Sequence, residues 1–412
     1  MHNHQDEPAI LYFGNDWAAE NRTSSHHVAR WLAAKYSVYY VECPGLRAPS
    51  GSSRDVKKLF RKLWNALRGM RSTKEGIKVG TLLQVPFHRF ALVRRLNHFL
   101  ALASLRWMMW REGVRRPIAW FVPPHLPFLV GRLGECLSVY YCIDDYAAMP
   151  GVNPQAIRAM DEEMTRRANL VFVASQTLLA TKRQLNANTT VSPHGVDYEH
   201  FAQAQNGRLP IPADIADRSR PIVGFFGLIE KWIDLELIDY LAEQRPNWSF
   251  VLIGRTAVPE ESLPRRSNIH YLGKRPYESL PAYGQCFDAA IIPYRPTQQV
   301  YHANPLKLRE YLAMGKPIVS VSTPEIDQFA DVVAIAHSRE EFLAKLDEVL
   351  ACPPSPADIQ RRMDRVVSSS WDVRLRRVLE IVQQELNTSS KGEPATSSSP
   401  SASLQEPLVR NL

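Results

Sequence analysis

Asn304, Lys307 and Glu310 stand in the run NPLKLREYLAMGKPIV, residues 304–319, which reads as a loop, a short helix, a glycine stop and a buried strand. A lysine and a glutamate three residues apart share one helical face. The Lys307 ammonium can then meet a diphosphate while the Glu310 carboxylate accepts from ribose hydroxyls, which is the chemistry of holding a nucleoside-diphosphate sugar. The same spacing also suits a plain surface ion pair worth roughly a few tenths of a kcal/mol, so the surroundings decide between the two.

Three further groups of residues sit where strands end. Gly227, in GFFGLIEKW (224–232), follows an apolar strand, where a glycine turn lets backbone N–H groups approach a phosphate; Lys231 is a candidate to neutralise that diphosphate. Asp144 and Asp145 directly follow the apolar run YYCI (140–143). One carboxylate can cap the next turn while the other serves as a general base, which must reach an acceptor hydroxyl and be ionised near neutral pH. His125 follows the strand ending at Val122 and can line an acceptor pocket. The polar segment from Gly14 to His27 is long for a strand-to-helix connection, which makes Ser25 and His27 candidate acceptor contacts, although a serine there can equally cap the helix holding Val28 and Trp31.

The elements that must carry these residues are short apolar runs alternating with helical stretches. A first series of strands is expected at 10–13, 38–41, 118–122, 138–143 and 170–174, and a second at 222–226, 250–253, 269–272, 289–292, 318–321 and 332–336. Near-continuous apolar strands between helices make parallel sheets covered on both faces. Two such series predict an α/β protein of two Rossmann-like domains, at 1–200 and 221–370. A polar, proline-punctuated linker at 201–220 joins them, a helix at 371–386 follows, and 387–412 has too little apolar content to order itself. The 412 residues, 45% of them hydrophobic, suffice for two cores.

The strand FDAAIIPY (287–294) followed by NPLKLREYLAMGKPIV resembles the nucleotide-sugar half of GT-B glycosyltransferases, particularly family 4 and its relatives in bacterial polysaccharide synthesis. The likeness is closest over Pro221 to Val321. It implies two Rossmann-like domains facing each other across a cleft, the first binding acceptor and the second binding donor, with Asn304, Lys307 and Glu310 on the donor. In this light VSPHGVD (191–197) resembles the P-N-G-V-D segment of the family with His194 in place of Asn, and the resemblance puts Gly195 opposite the donor. Asp144 occupies a position that is His in many members. The Asp-Asp form is similar to teichuronic acid and xanthan-type transferases, in which an Asp of the first domain is the proposed base. Where the family commonly has a glutamate eight positions before Glu310, this chain has His302, a departure that leaves retention or inversion open. The resemblance also implies that the terminal helix packs back across the first domain. It implies transfer without a cofactor or metal, since positive groups at the diphosphate stabilise the departing nucleotide, and no D-x-D pair occurs. An epimerase on the same fold and a catalytically silent binding subunit are the alternative readings.

A net charge of +8 favours an anionic partner. Between Arg54 and Lys74 there are eight Lys or Arg and one acid. Apolar residues at helical spacing from Val56 to Met70 predict an amphipathic basic helix at 56–70, fit for an anionic membrane surface or for packing on the first sheet. A saccharide or polyprenyl-linked acceptor would be met there, whereas no nucleic-acid-binding module is present. Five scattered cysteines, the absence of a signal pattern and the lack of a spanning apolar run point to a cytoplasmic or peripheral protein.

Overall fold

The computed structural model describes residues 7–17, 23–43, 69–82 and 91–391. Most of the basic helix expected at 56–70 and most of the tail expected at 387–412 lie outside the described residues.

Among the described residues fourteen strands form two sheets. The first sheet takes β1 (Ile10–Gly14), β2 (Val38–Glu42), β3 (Arg71–Ser72), β4 (Lys78–Thr81), β5 (Ile118–Phe121), β6 (Leu137–Cys142), β7 (Leu170–Val173) and β8 (Thr189–Val191), in the order β3-β4-β2-β1-β5-β6-β7-β8. It is parallel except for β3, which runs against β4. The second takes β9 (Ile222–Phe226), β10 (Ser249–Ile253), β11 (Ile269–Gly273), β12 (Ala289–Ile292), β13 (Ile318–Val321) and β14 (Ala334–Ala336), in the order β11-β10-β9-β12-β13-β14. Strand order reverses between β1 and β5 and again between β9 and β12. At such switch points of a doubly wound sheet the crevice outside the carboxyl ends of the strands receives ligands.

The two cores are built differently. Tyr40, Tyr12 and Trp120 lie in register on three neighbouring strands and stack at 5.3 and 6.3 Å, and Phe172 extends the row at 6.4 Å from Trp120. Cross-strand rings in register stabilise the first sheet directly. The second sheet is mainly aliphatic, with Ile222, Val223, Val251, Leu252, Ile291 and Val319 all buried.

Between the sheets, 201–220 is not a free linker. Phe201, Ala204 and Ile215 are buried within the second core, and Asp214 is bonded to Arg275 and, at 2.9 Å, to the Tyr283 hydroxyl. Three apolar anchors are too few to show as a period among prolines and polar residues, yet they suffice to dock the segment. The terminal helix, Trp371–Lys391, runs five residues past Leu386. Its residues Trp371, Leu375, Val378, Leu379 and Val382 recur at helical spacing and are buried with first-sheet side chains. The chain passes from one sheet to the other after β8 and back before this helix. There Val196 N–H donates to Ser369 O at 3.0 Å and Trp371 N–H to Val196 O at 3.2 Å, side by side.

Candidate active site

The end of β9 is held from the helix Leu306–Ala313. Tyr311 Oη accepts from Phe226 N–H at 2.9 Å, which fixes the turn at Gly227. Gly227 has φ +155°, and a Cβ there would lie 2.7 Å from Lys307 Cε. The positive φ favours glycine there, and the missing side chain leaves room for the lysine stem across the turn. The loops after β9 and β12 are laced together by Asp234 N–H to Pro293 O and Arg295 N–H to Trp232 O, both 2.8 Å. Lys231 is exposed on the first of these loops.

Lys307 Nζ lies 4.0 Å from Glu310 Oε2. Glu310 is buried and that oxygen has no hydrogen-bond partner, while burial raises its pKa and Lys307 pulls the other way. A buried carboxylate oxygen without a donor is costly; two vicinal hydroxyls would satisfy it. Asn304 is spent internally. Its Oδ1 accepts from Arg309 Nη1 at 2.6 Å and its Nδ2 donates to Glu325, whose other oxygen accepts from the Gln176 backbone of the first domain at 2.8 Å. Asn304 is thus a buried bridge between Arg309 and Glu325. Burial pushes the Arg309 guanidinium down to about 10.

Across the crevice, Asp144 and Asp145 follow β6 and meet a helix of the second domain, Gln298–His302. Asp145 Oδ1 caps the next turn by accepting from Ala147 N–H at 3.2 Å, and its Oδ2 accepts from Gln298 Nε2 at 3.2 Å. His302 Nε2 is 3.9 Å from the same oxygen. Asp144 accepts from Asp145 N–H at 2.9 Å and from Gln299 Nε2 at 3.5 Å. Burial pushes Asp144 up to about 7, against the lowering effect of those two donors. One carboxylate caps and the other is poised near neutrality, a division of labour that adjacent strand-end acids permit.

The remaining candidates divide between cleft and support. Ser25 is fully buried with Oγ 3.2 Å from Tyr12 Oη, and a Cβ on Gly14 would meet that Oγ at 2.9 Å. It supports the turn after β1 and cannot contact an acceptor as expected. The His27 ring stacks on Trp371 at 5.3 Å and lies 5.6 Å from Tyr277 of the second domain. It joins first domain, terminal helix and second domain. Gly195 is packed against the terminal helix, since a Cβ there would lie 2.7 Å from Trp371 Cα; this contact, and not a donor, explains the glycine. His194 is buried with an unpartnered Nδ1, and burial followed by the nearby Arg309 charge pushes it down to about 3, so it is neutral. His125 is half-buried just beyond β5. Sequence reasoning missed Gln298, Gln299, Arg309, Tyr311 and Glu325 as parts of the site. The partners of Gln298, Gln299, Tyr311 and Glu325 stand on the other domain or many residues away, and Arg309, though only five residues from Asn304, carries no spacing that marks it. Among the described residues no group of three or more His, Cys, Asp or Glu is arranged to hold a metal ion.

Two facing doubly wound domains with donor-type groups on one and a carboxylate pair on the other define a GT-B architecture. The same fold recurs in solved structures. Sucrose-phosphate synthase from Thermosynechococcus elongatus is 14% identical with TM-score 0.66, covering 93% of this chain and 100% of that one. Anabaena HepE in complex with UDP and glucose is 15% identical with TM-score 0.58, covering 93% and 100%. Residues 220–352 match the family described as glycosyl transferases group 1. Over 388 residues the chain is 24% identical to the Bacillus subtilis (strain 168) protein named as a teichuronic acid biosynthesis glycosyltransferase, TuaH, covering 88% of this chain and 94% of that one. The protein is a glycosyltransferase of GT-B fold, with its group 1 likeness over residues 220–352.

Proposed function

We propose that the enzyme transfers a sugar from a nucleoside-diphosphate donor, held by the second domain, to a saccharide acceptor at the first, in assembly of a surface or exopolysaccharide. The observation that carries this reading is the pairing of an unsatisfied buried Glu310 oxygen and the Lys307 ammonium at one switch point with a near-neutral carboxylate, Asp144, at the opposite sheet edge. The likeness to TuaH supports the polysaccharide setting, and the UDP bound by HepE supports a nucleotide-sugar donor. In the proposed reaction an acceptor hydroxyl attacks the anomeric carbon of the donor and its proton passes to Asp144. The anomeric C–O bond breaks with its electron pair going to the nucleoside diphosphate. Lys307, lying over Gly227, meets the growing phosphate charge and Glu310 holds the ribose. No metal or other cofactor enters this scheme, because the ammonium supplies the charge at the leaving group.

The test is turnover by purified protein of a panel of UDP-, GDP- and dTDP-sugars with and without lipid-linked saccharides. Release of the nucleoside diphosphate with a new glycosidic bond is expected for one donor. Epimerisation of the donor without acceptor, or nucleotide binding without any turnover, would overturn the reading.

A further inference from the structure

We propose that the outward face of the helix Ala91–Glu112 is a seat for an anionic lipid bilayer. Trp110 is 79% exposed, Phe99 68%, Leu96 47% and Trp107 40%. Large apolar side chains scattered singly on a surface carry no message, but a contiguous patch of them marks an interaction site. At about 100° per residue, Arg106, Phe99, Trp110, Leu96 and Trp107 fall in that order around an arc of about 100°. Exposed arginines border the arc on both sides, Arg95 on one and Arg111 on the other. The opposite face of the helix, with Asn97, Ala101, Leu105 and Met108, is buried on the first domain. Among the described residues the aromatic ridge therefore belongs to no core.

Its chemistry selects the occupant. The helix has one acid, Glu112, which lies off the arc and is bonded to Lys78 at 2.6 Å. A ridge of Trp, Phe and Leu with arginine on either flank is the pattern of a helix lying in the plane of an interface, rings in the headgroup region and guanidinium groups reaching up to phosphates. A second copy of the chain is disfavoured, because two such faces would bring like-charged arginines together. The helix lies on the bilayer and does not cross it: among the described residues no helix is long and apolar enough to span a membrane. The chain also re-enters the described structure beside this ridge. A Cβ on Gly69 would lie 3.4 Å from Arg111 Nη1 and 3.6 Å from the Trp107 ring.

The seat stands apart from the transfer reaction and does not depend on the acceptor being lipid-linked. The experiment is sedimentation of the full chain with vesicles of equal parts phosphatidylglycerol and phosphatidylcholine, and with phosphatidylcholine vesicles alone. Nucleotide-sugar turnover in solution is measured in parallel, so that loss of the seat and loss of the enzyme reading are separate results. The wild type should pellet with the anionic vesicles and not with the neutral ones. The double variant Phe99→Ser/Trp110→Ser should lose binding by about ten-fold or more, the effect of removing two large apolar side chains from an interface. Its thermal unfolding and its turnover should match the wild type, since both side chains are exposed. Arg95→Gln/Arg106→Gln/Arg111→Gln should erase the preference for anionic lipid. Failure of the wild type to pellet, undiminished pelleting of the aromatic double variant, or a concentration-dependent dimer that this variant abolishes would each overturn the proposal.

Discussion

Glu310, buried on the helix Leu306–Ala313, and Asp144, half-buried at the end of β6, are carboxylates raised above the ordinary range chiefly by burial, and they face opposite company. Glu310 has a cation 4.0 Å away, whereas Asp144 has only the neutral amide of Gln299, a backbone N–H and a second acid beside it. A neighbouring ammonium favours the charged form, so Glu310 is set to be a fixed acceptor for hydroxyl donors. Neutral company leaves burial uncompensated, so Asp144 gains and loses a proton close to neutrality. Burial raises both; the partner supplied by the other elements assigns the task.

The largest expected effect tests the proton-handling side. Asp144→Asn should lower kcat by about 10²- to 10⁴-fold while leaving donor affinity unchanged. Wild-type activity should rise as pH rises through about 7, where the base becomes ionised. An Asn variant with near-wild-type turnover, or a flat profile through neutrality, would erase the contrast. Next comes the anchoring side: Glu310→Ala should weaken nucleoside-diphosphate binding by ~1.5–3 kcal/mol, the cost of removing a charged acceptor, measured by calorimetry. Equal binding by mutant and wild type would remove Glu310 from the donor site. Lys307→Ala should then weaken nucleoside diphosphate much more than free nucleoside, because its charge acts on the diphosphate alone; equal losses would count against it.

Two smaller effects concern stability. Asp144 has a folded pKa of about 7 against ~3.9 for a free Asp, so the native state holds an extra proton between those values. Its contribution is fully present below pH ~4 and is lost as pH rises through about 7. Asp144→Asn should therefore melt higher than wild type at alkaline pH, and an identical melting curve there would show the carboxylate to be solvated. His194 has the opposite sign. Held at about 3 against ~6.5 for a free imidazole, its stabilisation is present above pH ~6.5 and fades as pH falls toward 3. His194→Asn should give a shallower fall of melting temperature in acid, and an unchanged acid limb would mean that the imidazole is protonated in the folded state.

Strands buried on both faces were legible because they are apolar throughout, as in β9 and β12. β4 and β8 escaped reading since KVGT and TTV are short and half polar, and β3, RS, has no pattern at all. The donor motif was legible where its members lie within one helical turn, as Lys307 and Glu310 do. Asn304 shows the limit: residue type and nearness suggested a ligand contact, while Glu325 and Arg309, which occupy its amide, announce themselves only in three dimensions. Ser25 failed for a related reason, since a hydroxyl in a polar segment gives no hint that Tyr12 and Gly14 enclose it. The contacts of Gln298 and Gln299 with the Asp pair span about 150 residues and two domains, beyond any local pattern.

The two passages of the chain between the sheets lie together at Val196 and Trp371, joined by paired backbone hydrogen bonds and by Trp371 filling the space that a side chain on Gly195 would need. Two covalent crossings clamped at one place act as a single hinge pin. Sliding or twisting one sheet against the other would tear backbone bonds and ring packing there. Swinging them apart breaks amide–carboxylate contacts such as Gln298–Asp145 and Gln299–Asp144, each worth about 1 kcal/mol net and readily replaced by water. The domains are thus joined most firmly at one place, and in the proposed reaction opening and closing about it would carry a donor held by the second domain away from and toward Asp144.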